Sequence, residues 1–185
     1  ALLDLEDLDL DEFPEQLPGF FPERVRRLDL TRFRGEAASL ERFVRRFPQL
    51  TELSLIDGHT ALGSVPEFLT GLIHLRELAL VRMGLVVDQA AMAVLARMQV
   101  LSSLQLDGNL LGPITDVSMF DLRYLNFLGL GQMGISQWPE WLTSLLPHCV
   151  EHVNLDDNLL TELPDVLLDN PVSYTHLTLP TILLV

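Results

Sequence analysis

A six-residue pattern of apolar and polar positions recurs along most of the chain. In each copy the first, fourth and sixth positions are Leu or Val. Apolar residues two positions apart, with a polar residue between them, indicate a short strand that buries one face. The seven copies have their apolar positions at Leu5-Leu8-Leu10, Val25-Leu28-Leu30, Leu50-Leu53-Leu55, Leu75-Leu78-Leu80, Leu101-Leu104-Leu106, Leu125-Leu128-Leu130 and Val150-Val153-Leu155.

The spacing between successive copies is regular, at 20, 25, 25, 26, 24 and 25 residues. A unit of this length is too short to bury its own apolar face, so it must stack on its neighbours. One strand per unit predicts a parallel sheet across the stack. The 42 Leu residues of the chain would form the continuous core of that stack.

The segments between the copies carry signals for helix starts. Pro favours the first helical position, and an acid there interacts well with the helix dipole. Two of these segments predict fuller helices, residues 35–47 and residues 88–98, the second with Asp88 as N-cap. A Pro followed by an acid occurs at Pro14-Glu15, Pro22-Glu23, Pro66-Glu67, Pro139-Glu140 and Pro164-Asp165.

The copies resemble the leucine-rich repeat (LRR), whose frame is LxxLxLxxN. The resemblance covers about residues 1–170, and two copies also carry the Asn, at Asn109 and Asn158. It implies an α/β fold, an LRR solenoid of about seven repeats with a curved parallel sheet on the concave side and short helices on the convex side. The loss of Asn predicts a looser or differently packed turn in the copies that have Phe13, Phe33, Gly58, Met83 and Met133 there.

The style of the repeats is similar to that of bacterial LRR effectors, as in SVPEFLTGLIHLREL. Residues 28–55 resemble bacterial proteins that place an LRR before a NEL-type (novel E3 ligase) ubiquitin ligase domain. This resemblance implies a recognition module that selects the substrate of a larger effector, which a bacterium secretes into a host cell. Cys149-Val150-Glu151 does not match the Cys-x-Asp motif of the ligase. A structural or adhesive surface LRR protein is the alternative.

The last residues depart from this style. Residues 172–181 read VSYTHLTLPT, which resembles the translation of a sequencing adapter, a transposase mosaic end with its primer site. We therefore expect an LRR domain over residues 1–170, truncated at both ends, and a non-native adapter-derived tail over residues 171–185. The alternative is an eighth repeat, because Tyr174-Leu177-Leu179 fits the frame at a spacing of 24.

The residues between the core leucines should point out of the concave sheet. The third, fifth and seventh positions of the copies then form three columns, which Asp7, Asp9 and Asp11 begin. An apolar patch with a polar rim is typical of a protein-binding site, although scattered exposed apolar residues are ordinary. Such a patch is predicted where Ile56, Ala79 and Val81 are adjacent, and Phe127 follows two repeats later beside Gly129 and Gly131. The candidate partner-binding residues are Arg27, Glu52, Ile56, Glu77, Ala79, Val81, Gln105, Phe127 and His152.

The net charge of −14 argues against nucleic acid, which needs a basic surface, and favours a partner protein with a basic surface. The charge is uneven along the chain. Residues 1–23 hold eight acids and no base, whereas residues 24–46 hold eight Arg and three acids. This Arg block either meets an acidic partner or a phosphate, or it neutralises the acidic first repeat.

The chain contains a single cluster that resembles a reactive site, His148-Cys149-Val150-Glu151-His152. A metal site or a thiolate nucleophile is one interpretation, and an incidental Cys between surface His residues is the other. No catalytic, phosphate-binding or metal-binding motif occurs. We therefore predict a binding module without catalytic residues, cofactor or metal. No apolar run approaches the roughly 20 residues that a membrane span needs.

Overall fold

The computed structural model describes residues 1–16, 18–118, 120–146, 150–169 and 177–178. The strands are β1 (Leu2–Glu6), β2 (Arg27–Thr31), β3 (Glu52–Ile56), β4 (Glu77–Val81), β5 (Val86–Val87), β6 (Ser103–Gln105), β7 (Leu110–Leu111), β8 (Phe127–Gly129), β9 (His152–Asn154) and β10 (Leu177–Thr178). The helices are α1 (Ala37–Val44), α2 (Gln89–Ala96), α3 (Glu140–Leu145) and α4 (Asp165–Asp169), with 3-10 helices at Pro22–Arg24 and Glu67–Gly71.

The strands form one parallel sheet in the order β1-β2-β3-β4-β6-β8-β9-β10, and β5 pairs with β7 in a separate two-stranded sheet. Each strand of the large sheet pairs with the strand of the preceding repeat. The short helices lie in the segments that return from one strand to the next. The predicted α/β LRR solenoid is confirmed.

The first repeat has a different register from the predicted one. Leu3 pairs with Leu28 and Leu5 pairs with Leu30, so the spacing is 25 residues and not 20. The frame Leu5-Leu8-Leu10 was wrong because this leucine-rich segment fits the pattern in two registers, and the sheet pairing selects one of them. Asp7, Asp9 and Asp11 consequently lie beyond β1 and not in the three columns.

The core lies between the sheet and the helices. The inward leucines of β2, β3, β4, β6 and β8 are almost completely buried; Leu28, Leu53 and Leu78, for example, expose 2% or less. Those of β1, Leu3 and Leu5, are only partly buried. Burying a side chain of this size stabilises the fold by roughly 1.5–3 kcal/mol. Because every repeat contributes such residues, the core continues through the stack without a gap between units.

The helices agree in part with the predicted ones. Asp88 is the N-cap of α2, and its carboxylate accepts a hydrogen bond from the N–H of Ala91 at 3.0 Å, as predicted. Pro66 and Pro139 occupy the N-cap itself, one position earlier than predicted, and the following Glu begins the helix. Pro14-Glu15 begins no helix within the described residues 11–16, where the chain forms turns and bends.

The two Asn residues of the frame tie neighbouring repeats together. Asn109 accepts hydrogen bonds from the N–H groups of Met83 and Leu85, both at 3.1 Å, and donates to the carbonyls of Leu80 and Leu106 at 2.6 and 2.8 Å. Asn158, which lies two repeats later, makes the four corresponding hydrogen bonds. Each Asn therefore satisfies three main-chain groups of the repeat before its own.

The repeats without Asn use a different turn. Phe33 is completely buried there, and a Cβ on Gly58 would lie 2.5 Å from Phe33 Cζ and 2.8 Å from Met83 Sδ. The main chain also bonds directly between repeats, since the N–H of His59 donates to the carbonyl of Phe33 at 2.8 Å. At Phe33, Gly58 and Met83 the turn is differently packed, which is one of the two alternatives predicted.

Strand β10 lies beside β9, with Leu177 opposite Val153 and Thr178 opposite Asn154. This is the register that the eighth-repeat alternative predicts. Residues 170–176 and 179–185 lie outside the described residues. The adapter-derived tail and the domain boundary at residue 170 stay predictions.

Candidate protein-binding face

The pairing register places three columns of side chains on the concave sheet face. Leu2, and not Asp7, begins the third-position column. All nine candidate residues lie on this face. The third-position column contains Leu2, Arg27, Glu52, Glu77, Ser103, Phe127 and His152; the fifth contains Asp4, Asp29, Ser54, Ala79, Gln105, Gly129 and Asn154; the seventh contains Glu6, Thr31, Ile56, Val81, Asp107, Gly131 and Asp156.

The predicted apolar patch has the expected arrangement. Ile56 lies directly opposite Val81 on the neighbouring strand, and Ala79 lies opposite Ser54. Ile56 and Val81 are half-buried, because residues of adjacent strands cover part of each other on a pleated surface. The patch is therefore a shallow, partly covered strip.

The side chain of Phe127 lies over a glycine residue of its own strand. A Cβ on Gly129 would lie 3.3 Å from Phe127 Cε1 and 2.6 Å from Asp107 Oδ2, so the ring and the carboxylate both lie over the main chain of β8. A Cβ on Gly131 would lie 2.6 Å from Asp107 Oδ1. The two glycines thus bring Phe127 and Asp107 down onto the sheet, and the Phe127 ring is half-buried.

The surroundings of Asp107 on this face disfavour its charge. Burial raises the pKa of Asp107 above the ordinary value of an Asp, and the nearby Asp156 adds to this. The N–H of Gly131 donates to Asp107 Oδ1 at 2.7 Å, which lowers the pKa but does not cancel the effect of burial. Half-burial of a carboxylate at this point predicts a stability that depends on pH.

The pH dependence of unfolding should reveal this group. An Asp whose pKa is raised in the folded state binds its proton more tightly there, so its contribution to stability is lost as pH rises above about 3.9. Asp107→Asn keeps an acceptor for Gly131. We expect this variant to gain stability relative to the wild type between pH 4 and pH 7 in urea unfolding.

A matched substitution at Asp116 should change with pH in the opposite direction. Hydrogen bonds from Ser118 lower the pKa of Asp116, so its contribution to stability is lost as pH falls through that lowered value. Asp116→Asn should therefore lose stability relative to the wild type as pH rises from 3. A pH-independent difference for Asp107→Asn would show that burial does not disfavour the Asp107 charge.

The first half of the face is charged. Arg27 lies between two acids, with Nη2 at 3.0 Å from Asp29 Oδ2 and Nη1 at 3.4 Å from Glu52 Oε2. These residues and Glu77 surround a small depression of about 130 Å³ whose floor includes Ser54 and Ala79. Three acids against one base leave this part of the face acidic, which suits a basic group on a partner.

One edge of the face carries residues in the left-handed conformation. The residue that follows the seventh position of the frame has a positive φ in the seven repeats in which it is described: Asp7, Arg32, Asp57, Arg82, Gly108, Gln132 and Asp157. Arg32 Nε lies 2.9 Å from Asp7 Oδ1, and Arg82 Nε lies 2.6 Å from Asp57 Oδ1. These bonds hold the pKa of Asp7 and Asp57 below the usual value. Acid and base thus alternate along the first four repeats.

Part of the Arg block neutralises neighbouring acids. Arg32 pairs with Asp7, Arg34 pairs with Asp9 at 2.9 Å, and Arg27 pairs with Asp29. Of the two interpretations offered above, neutralisation of the acidic first repeat is confirmed for Arg32 and Arg34, whereas Arg27 pairs with acids of the second and third repeats. Exposed pairs of this kind contribute about 0–1 kcal/mol each, so they set the charge pattern more than the stability.

The possible reactive cluster falls partly outside the described residues, which exclude His148 and Cys149. Glu151 and His152 are exposed, and His152 lies on the concave face. Among the described residues no group of His, Cys, Asp and Glu could hold a metal ion. In the same part of the chain, no helix has the length and apolar character that crossing a membrane requires.

Sequence reasoning missed the role of Asp107 and placed the first repeat incorrectly. The sequence did indicate that a neighbouring side chain such as Asp107 could pack there, since Gly129 and Gly131 occupy the fifth and seventh positions of a single copy. Two glycines at outward positions of one strand leave room that a long or charged neighbour can fill.

Comparisons with known proteins agree with this fold. No family model and no curated protein sequence matches the chain. Among solved structures, internalin C2 of Listeria monocytogenes is similar over 86% of this chain and 71% of its own, at 19% identity and a TM-score of 0.51. InlP of Listeria monocytogenes is similar over 80% of this chain and 46% of its own, at 21% identity and a TM-score of 0.55.

An LRR protein of Leptospira interrogans is similar over 86% of this chain and 55% of its own, at 16% identity and a TM-score of 0.37. This chain thus spans about half the length of two of the three solved proteins. At identities of this size the two internalin similarities support the fold alone. The strand order, the repeat register and the two internalin similarities together define a leucine-rich repeat solenoid.

Proposed function

We propose that this chain is a protein-interaction module and that its concave face binds the partner. One observation carries the proposal: the half-buried strip of Ile56, Ala79 and Val81 lies next to an acidic depression on an uncovered sheet face. Arg27 and Glu77 at its centre are exposed, so no described element packs on this face. An apolar strip that charged residues surround is typical of a protein-binding surface.

The charges of the face favour a basic partner. Its columns hold the acids Asp29, Glu52, Glu77, Asp107 and Asp156 in β2 and beyond, against the single base Arg27. Complementary charge speeds encounter and fixes orientation more than it adds affinity. The apolar strip and the Phe127 ring then supply the desolvated contacts from which binding energy mostly comes.

Charge substitution on the strip tests the proposal. A display library of protein fragments is selected in parallel against the wild type and against the double variant Ile56→Asp, Val81→Asp. Fragments enriched by the wild type should bind the double variant at least about 100-fold more weakly, because two desolvated contacts are lost. Fluorescence anisotropy of purified fragments measures this difference.

The matched control is Ala90→Asp, which adds an acid to an exposed position of α2 on the convex side. It should leave the affinity unchanged within about twofold. Far-UV circular dichroism checks that all variants remain folded. Equal affinity of the wild type and the strip variant, with the fold intact, would remove the concave face from the function.

The resemblance of residues 28–55 to LRR effectors supports a finer proposal. According to this finer proposal, the module selects the substrate of a larger bacterial effector whose NEL-type ligase domain lies elsewhere. The chain itself then transfers no ubiquitin. The alternative is a structural or adhesive surface protein. Sequencing the source locus across Asn170 separates them: a helical domain with a Cys-x-Asp motif favours the effector, whereas a wall- or membrane-anchoring segment favours the surface protein.

A further inference from the structure

A second surface lies at the edge of the sheet where the strands begin. A two-residue turn precedes each of the strands β3, β4, β6 and β8. In three successive repeats this turn carries a large exposed apolar side chain: Ile73 is 69% exposed, Val100 is 41% exposed and Tyr124 is 68% exposed. We name this row of turns, with the residues that follow it, the turn edge. It is distinct from the concave face.

A pocket of about 310 Å³ opens on the turn edge. Its lining includes two Arg and no acid, although the chain holds 26 acids and has a net charge of −14. Apolar side chains form one side of it. The lining residues are Arg26, Gln49, Thr51, Ile73, His74, Arg76 and Val100.

The strand register fixes the separation of the two arginines. Arg26, Thr51 and Arg76 each come directly before the first residue of β2, β3 and β4, and those first residues are opposite one another. Arg26 and Arg76 are therefore two strands apart, a main-chain distance of about 10 Å. The Thr51 hydroxyl between them donates to the Arg26 carbonyl at 3.2 Å.

These two arginines differ from most others in the chain. Seven of the twelve Arg form an ion pair with a carboxylate: Arg27, Arg32, Arg34, Arg45, Arg82, Arg97 and Arg123. Arg26 instead donates to the main-chain carbonyl of Glu23 at 3.0 Å. Within the described residues, neither Arg26 nor Arg76 forms an ion pair, so both guanidinium groups remain available to a carboxylate of another molecule.

We propose that the turn edge is a second protein-binding surface, which takes a partner segment with acidic side chains next to apolar ones. Arg26 and Arg76 bind the carboxylates, since a guanidinium offers paired donors that match a carboxylate. Ile73, Val100 and Tyr124 contact the apolar side chains. This chemistry is the opposite of that proposed for the concave face, so the two surfaces select different partners.

Fluorescence anisotropy with a defined probe tests the proposal. The acidic probe is a fluorescein-labelled peptide of alternating Glu and Leu, and the neutral probe has Gln in place of Glu. The wild-type chain should bind the acidic probe at least about tenfold more tightly than the neutral one. The double variant Arg26→Glu, Arg76→Glu should lose at least about tenfold in affinity for the acidic probe, and Ile73→Asp should weaken both probes.

The double variant Arg45→Glu, Arg97→Glu is the matched control, because it reverses two charges that lie directly after the helices α1 and α2. It should bind the acidic probe as the wild type does. The variant Ile56→Asp, Val81→Asp should also bind it normally, which separates this proposal from that for the concave face. Equal binding of both probes, or unchanged binding after reversal of Arg26 and Arg76, would overturn it. A phosphoserine peptide that binds about 100-fold more tightly than the acidic probe would show a phosphate site instead.

Discussion

Replacing Asn109 with Ala should lower the free energy of unfolding by about 3–5 kcal/mol. The buried Asn109 side chain binds four main-chain groups, of which those of Met83, Leu85 and Leu80 belong to the preceding repeat. Each buried main-chain group left without a partner costs about 1–3 kcal/mol. The Ala variant also leaves a small cavity, which adds to the loss.

Urea unfolding followed by circular dichroism measures this change. The control is Asn126→Ala, because Asn126 is an exposed Asn outside the turn. Its effect should stay within about 0.5 kcal/mol. If both variants lose the same small amount, the Asn109 hydrogen bonds do not hold the turn, and the packing of Met83 and Met133 must hold it instead.

Replacing Gly58 with Ala should cost about 1–3 kcal/mol, although Ala usually stabilises a chain relative to Gly. The added Cβ would lie 2.5 Å from Phe33 Cζ and 2.8 Å from Met83 Sδ. Phe33 and Met83 are both buried, and a tightly packed ring cannot move aside without disturbing the residues behind it.

Two further variants make this prediction specific. Gly71→Ala adds the same methyl group where no atom lies within 4 Å, so it should be neutral or slightly stabilising. Phe33→Leu shortens the side chain that the new Cβ would meet. In the double variant the cost of Gly58→Ala should fall by at least about half. An equal cost of Gly58→Ala in both backgrounds would contradict the steric explanation.

The repeat architecture could be predicted from the sequence because the same short pattern occurs seven times. Each copy constrains the others, so one strand per repeat, a parallel sheet and the columns on its outer face all follow from the period. The adjacency of Ile56 and Val81 was predictable for this reason. Repetition also supplies its own check, because an error in one copy conflicts with the rest.

The first repeat shows where such reasoning stops. Leu3, Leu5, Leu8 and Leu10 satisfy the pattern in two registers, and only pairing with Leu28 and Leu30 selects the correct one. The packing of Phe33 over Gly58 was unpredictable for a related reason. It depends on side chains from three repeats meeting at one point, which a pattern within one copy does not record.

The side chains of the turn give the stack a direction. Asn109 and Asn158 each bind three main-chain groups of the repeat before them; within their own repeats, Asn109 binds one carbonyl and Asn158 binds two. Removing the later repeat therefore leaves three main-chain groups of the earlier repeat without a partner, whereas removing the earlier repeat leaves only the Asn side chain of the later one short of partners. Fraying from the carboxyl-terminal side should consequently meet its steepest energetic steps at these two repeats. The resistance to unfolding is therefore uneven along the solenoid. Hydrogen exchange should be slowest at the main-chain N–H groups of Met83, Leu85, Met133 and Ile135.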